Sequence, residues 1–189
     1  SVLDRGATPV AVAGTATDAH IESYELSFGA GTAPSYFVPI ATATQGVAGG
    51  SLGSWAVAHL SDGHYVLQLV VRDRAGQTAE ARAVVALDGG APEAVIQAPS
   101  ADAYLNAAAG IEGTASDMNL ASWRIEAAPG ETGTAFQWSL LSEGAASVVD
   151  GSLGQWAPLP SDGRHTLRLT VTDRAGHVST GAHTVTVDT

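Results

Sequence analysis

Arg164-His165-Thr166-Leu167-Arg168-Leu169-Thr170-Val171-Thr172 alternates apolar and polar residues without a break. Leu167, Leu169 and Val171 fall on one side, and Arg168, Thr170 and Thr172 on the other. A period of two is that of an extended strand with one buried face. Asp173-Arg174-Ala175-Gly176 follows, and then a second alternating run that ends in Val185 and Val187. A short polar turn closing on glycine fits a hairpin whose last loop residue takes a positive φ.

The same unit stands about one hundred residues earlier. His64-Tyr65-Val66-Leu67-Gln68-Leu69-Val70-Val71-Arg72 precedes Asp73-Arg74-Ala75-Gly76. Working outward, Gly14-Thr15-Ala16-Thr17-Asp18 recurs as Gly113-Thr114-Ala115-Ser116-Asp117, and Ser51-Leu52-Gly53-Ser54-Trp55 as Ser152-Leu153-Gly154-Gln155-Trp156. Ser61-Asp62-Gly63 recurs as Ser161-Asp162-Gly163. Matches in one order at a near-constant offset mark two homologous modules. Asp88-Gly89-Gly90-Ala91-Pro92 reads as the linker between them, because Gly and Pro together break regular structure. The domains are therefore residues 1–89 and 90–189. Module two carries Ala94-Val95-Ile96-Gln97-Ala98-Pro99 ahead of the region shared with module one, and Ser1 aligns near Ser100. Module one is thus expected to lack its first strand and to expose an unpaired sheet edge.

Residues 21–28 and 121–127 also read as strands, as do the stretches around Phe37 and Trp138. The Ala-rich segment 102–110 could form one helical turn, but nothing shows sustained helical periodicity. About seven short strands per hundred residues implies a β-sandwich. The pattern Gly-Thr-Ala-x-Asp, Leu-Gly-x-Trp, then Asp-Gly-x-Tyr-x-Leu-x-Leu-x-Val-x-Asp-x-Ala-Gly resembles bacterial immunoglobulin-like or fibronectin-III-like repeats. The family usually has Asn after the Ala-Gly turn, where this chain has Gln77 and His177. Such repeats recur in tandem in very large exported proteins, adhesins and the Rhs/YD-repeat class among them. The resemblance implies an all-β chain of two tandem immunoglobulin-like sandwiches of about seven strands each. It also implies a scaffold or spacer at the bacterial cell surface or outside the cell, whose partners are neighbouring domains of the same parent protein. A fold of this kind does not by itself specify an activity.

Composition narrows the chemistry. The chain has 189 residues, net charge −11 and no Cys, and its eight basic residues are all Arg. Without Lys there is no Schiff-base or P-loop lysine, and without Cys no disulfide or thiolate nucleophile. The acidic balance repels nucleic acid and anionic lipid, and predicts a soluble monomer. No apolar run approaches a membrane span. The chain opens with Ser1 and its single Met is Met118, so it reads as a piece processed or excised from something longer.

The candidate residues divide as follows. Tyr65 matches the tyrosine corner before strand F of such sandwiches, and His165 replaces it in module two. Trp55 and Trp156 read as core plugs, with a carbohydrate-stacking platform as the alternative. Gly49-Gly50-Ser51-Leu52-Gly53 matches the Gly-x-Ser-x-Gly nucleophile pattern, but that elbow needs a strand-to-helix turn; here it reads as a glycine-rich loop. No histidine spacing suits a transition metal. No enzyme and no required cofactor is expected. The sharp hypothesis concerns four acids. In an immunoglobulin-type sandwich Asp117 and Asp173 fall in loops at the N-terminal pole of module two, while Asp62 and the linker residue Asp88 fall at the facing pole of module one. Four carboxylates at one junction would suit Ca²⁺, a hard cation taking six to eight oxygens. The competing reading is that Asp at strand ends bonds local backbone N–H groups. The expected role is a semi-rigid spacer, with glycan or protein binding through loop poles or an open sheet edge as the alternative.

Overall fold

The computed structural model describes residues 1–6, 9–131 and 137–189. The chain divides into two compact units, Ser1–Gly89 and Gly90–Thr189. The described residues contain strands and no helix.

Unit 1 holds β1 (Val2–Asp4), β2 (Val10–Ala16), β3 (Ile21–Ala30), β4 (Val38–Ala43), β5 (Val47–Trp55), β6 (Gly63–Asp73) and β7 (Thr78–Asp88). One sheet runs β1-β7-β6-β3-β4 and the other pairs β2 with β5. Unit 2 holds β8 (Glu93–Ala98), β9 (Tyr104–Leu105), β10 (Ala109–Ser116), β11 (Leu120–Pro129), β12 (Ser139–Gly144), β13 (Val148–Trp156), β14 (Gly163–Asp173) and β15 (Val178–Val187). Its sheets run β12-β11-β14-β15-β9 and β13-β10-β8. Each unit is a sandwich of two antiparallel sheets, with a short parallel strand, β1 or β9, along one edge.

The two alternating hairpins form as their pattern requires. β6 pairs antiparallel with β7, and β14 with β15, and Gly76 and Gly176 take φ +82° and +100° to close the turns. Leu167, Leu169 and Val171 are fully buried, and the face opposite carries Arg168, Thr170 and Thr172. Phe37 and Trp138 stand immediately before β4 and β12. The Ala-rich segment 102–110 forms no helical turn; it contributes β9 and the start of β10.

Two readings need correction. The glycine-rich stretch around Ser51 is not a loop but the interior of β5, paired along its length with β2. Glycine there reflects crowding between layers: a Cβ on Gly53 would lie 2.8 Å from the Ala41 side chain and 3.4 Å from Leu26. Asp88 is not a linker residue either. It ends β7, pairs with Asp4 of β1, and is buried.

The cores differ between the units. Unit 2 has one continuous cluster spanning both sheets, from Ile111 and Leu153 to Leu167, Leu169 and Val185. In unit 1 the buried residues fall into two clusters, one around Trp55 and Tyr65, the other around Leu26 and Leu52. Leu67, Leu69 and Val71 in the centre of β6 are only half-buried, although their counterparts are sealed.

Candidate functional site

The corner before β6 works as the sequence implies. Tyr65 donates its hydroxyl to the Ser61 carbonyl at 2.9 Å, and the His165 Nε2 lies 2.9 Å from the Ser161 carbonyl. An imidazole donating from Nε2 thus reproduces the phenol's bond. Both rings pack edge-on to the plug of their unit, Tyr65 on Trp55 at 5.7 Å and His165 on Trp156 at 5.9 Å. Tyr65→Phe is expected to cost about 1 kcal/mol of unit 1 stability, the worth of one buried hydrogen bond, read by chemical denaturation.

Trp55 and Trp156 are buried between the sheets, so neither offers a face to a sugar. Trp123, in the place of Tyr24, donates its indole N–H to the Ala146 carbonyl. The Arg168 guanidinium stacks on Trp138 at 3.7 Å and donates to the buried Glu126 carboxylate at 2.8 Å. Aromatic and charged side chains here serve the sheets.

Ser51 cannot act as an elbow nucleophile. It sits mid-strand, opposite Ala13 of β2, with no helix following. Gly49 at φ +60° and Asp150 at φ +46° occupy the same bulge of β5 and β13, and each backbone N–H bonds a Thr hydroxyl, Thr15 or Thr114. The motif is a bulged strand entry.

Within unit 1, Asp62 and Asp88 lie at the same end, since Asp62 accepts from the Gly89 N–H at 2.9 Å, next to Asp88. Asp62 also pairs with Arg5 at 2.8 Å. Asp162 repeats that bond in unit 2, accepting from the N–H and hydroxyl of Thr189. Within unit 2, Asp117 and Asp173 lie at the opposite end. Asp117 caps its own turn through the Asn119 N–H at 2.6 Å, and the Arg174 N–H bonds the Asn119 carbonyl. Asp173 is buried and accepts from the backbone of Gly176 and His177 and from the His177 ring. Two of the four acids, Asp117 and Asp173, therefore make the local turn bonds that their position favours, whereas Asp62 ties its loop to the distant Gly89 N–H. His177, where the repeat pattern has Asn, is a partner that the sequence reading passed over.

Burial alone pushes the Asp173 carboxyl up, but the bonds from the His177 ring, the His177 N–H and the Gly176 N–H outweigh it and hold the group below its usual range. A carboxyl depressed in the folded state contributes stability that is complete above its unfolded value, about pH 4, and is lost as pH falls through the folded value. Asp173→Ala should therefore flatten the acid limb of the unit 2 melting temperature against pH, below about pH 4.

Comparison with solved structures places this architecture. The chain is similar to the fibronectin(III)-like modules of Clostridium thermocellum CbhA, with 16% identity over 98% of this chain and 87% of that one, and a TM-score of 0.51. Each unit has a fibronectin-III-like fold. These fibronectin-III-like units also align with a tetra-tandem repeat in the extending region of a large adhesion protein (21% identity, 90% of this chain, 42% of that one, TM-score 0.45). A third match is a 1.5-MDa bacterial ice-binding adhesin, with 19% identity over all of this chain and 61% of the other, and a TM-score of 0.45. No protein-family model matches the chain, and no curated protein is significantly similar to it.

Proposed function

We propose that the two fibronectin-III-like units act as a non-catalytic spacer in a large secreted or surface-exposed bacterial protein, of the adhesin or the Rhs/YD-repeat type. One observation carries this reading. The polar side chains at the unit ends are bonded to backbone of their own unit, Asp62 to Gly89, Asp162 to Thr189 and Asp173 to its hairpin. Residues committed to bonds within their own unit build a module that can be repeated and strung together. The acidic surface keeps such a string soluble and discourages self-association.

Exchanging residues 1–189 in the parent protein for an unrelated fibronectin-III-like pair of equal length tests the reading. A spacer tolerates the exchange, and the activity of the adjoining region persists. Loss of adhesion or of another surface activity, with export intact, would shift the assignment to ligand binding. The junction calcium through Asp62, Asp88, Asp117 and Asp173 belongs to the same proposal as a stiffening device. It requires that millimolar Ca²⁺ raise the melting temperature and that EDTA reverse the rise; no response to either removes calcium from the proposal.

A further inference from the structure

In unit 2, Trp123 and Ile125 of β11 are buried in the core, so Ser122 and Arg124 stand on the outer face of their sheet. β14 sets Thr172 beside Ser122 and Thr170 beside Arg124, and β12 sets Glu143 opposite Arg124. These five side chains line one open cleft of about 720 Å³. That volume is in the range of small-ligand sites.

The rim of the cleft on the β12 side is Gly144 and Ala145. A Cβ on Gly144 would lie 2.5 Å from the Trp123 ring, so glycine lets the indole lie close against β12. From there the indole N–H reaches the Ala146 carbonyl at 2.9 Å and ties down the turn from β12 to β13.

Elsewhere in unit 2 the charged groups are engaged within the unit. Arg168 bonds Glu126 twice, Arg164 pairs with Asp102 and Glu131, and Asp173 closes its hairpin. The cleft differs. Arg124 makes one contact, its Nε 3.4 Å from the Glu126 oxygen that Arg168 already holds. Among the described residues its two terminal nitrogens have no protein partner, and neither have the Glu143 carboxylate or the hydroxyls of Ser122, Thr170 and Thr172. In unit 1 the same register holds Ser23, Glu25, Thr42, Val70 and Arg72. The charge of Arg124 is reversed there, that of Glu143 is gone, and an apolar residue replaces Thr170. The set belongs to unit 2 alone, unlike the residues that build both modules.

We propose that this cleft in unit 2 binds a neutral oligosaccharide. Sugar hydroxyls both donate and accept. Vicinal hydroxyls donate to Glu143 and accept from Arg124 across the strand pair, and the three protein hydroxyls serve in either sense. An anion meets Glu143 and a chain of net charge −11, and a cation meets Arg124. An apolar ligand would strip water from five polar groups and replace none of their bonds. Trp123 is buried, so no ring stacks on the sugar, and a weak Kd of about 1 mM is expected.

NMR titration of the full chain with cellotetraose, laminaritetraose, maltotetraose and mannotetraose tests this. At least one is expected to shift the amides of residues 122–124, 143–145 and 170–172 to saturation. Arg124→Gln and Glu143→Gln change exposed side chains outside the core, so the melting temperature should hold while each weakens binding at least about tenfold. Thr170→Val, which installs the unit 1 residue, should weaken it roughly fivefold. Four results would overturn the proposal. These are no saturable shift with any of the four sugars, unchanged affinity in both charge variants, shifts centred on unit 1, and tighter binding of tetragalacturonate than of any neutral sugar. The last would make the cleft an anion site.

Discussion

Trp156→Ala is expected to remove about 4 kcal/mol from unit 2. The indole is buried between the sheets at the end of β13, edge-on to His165 and in one cluster with Leu153 and Leu167. Truncation removes the transfer free energy of a large aromatic and leaves a cavity that two hydrogen-bonded sheets cannot close. For a domain of this size the loss corresponds to a fall in melting temperature of roughly 15–30 °C, which calorimetry on the full chain reads directly. The ring's contact with His165 is lost with it, so a compensating change at His165 would recover little. A fall of only a few degrees would show that Trp156 covers the surface more than it fills the core.

The second large effect is a difference between equivalent positions. Leu169→Ala should cost about 3 kcal/mol, and Leu69→Ala about 1 kcal/mol. The two leucines hold the same place in β14 and β6 and pair with Ile125 and Leu26 of neighbouring strands. Leu169 is 0% exposed beneath β8, whereas Leu69 lines an open groove. Removing a side chain from an open groove forfeits only the area that was covered, and no sealed cavity forms. Chemical denaturation of the two variants measures the ratio. Equal costs would mean that the unit 1 groove is closed in solution.

The fold was legible because β-structure with one buried face writes itself into residue order. In β14, Leu167, Leu169 and Val171 alternate with polar residues, and Gly176 supplies the positive φ that ends the hairpin. The corner was legible for a similar reason, since Tyr65 and His165 each put a donor where a single loop carbonyl needs one. Other elements escaped. β5 and β13 were hidden because glycine carries no side chain to show a period, although crowding against Ala41 and Ser142 is what requires it. β9 is two residues long and is held by pairing with β15, a partner some eighty residues away. Asp88 looks like a linker acid beside Gly89-Gly90, yet the pairing of β7 with β1 draws it into a sheet.

By itself the sequence determined the all-β class, the repeat, the hairpins and the chemistries that are excluded. Each follows from neighbours in the chain or from composition, and needs no knowledge of what lies across the core. Only the tertiary structure decided what the charged and exposed groups do. A carboxylate in a turn reads the same whether it binds an ion or caps a backbone N–H, and only the geometry of Asp62, Asp117 and Asp173 shows the backbone bonds. Leu69 and Leu169 likewise are one letter in one pattern. What separates them is a strand at the sheet edge, which closes the core over Leu169 and leaves Leu69 facing a groove.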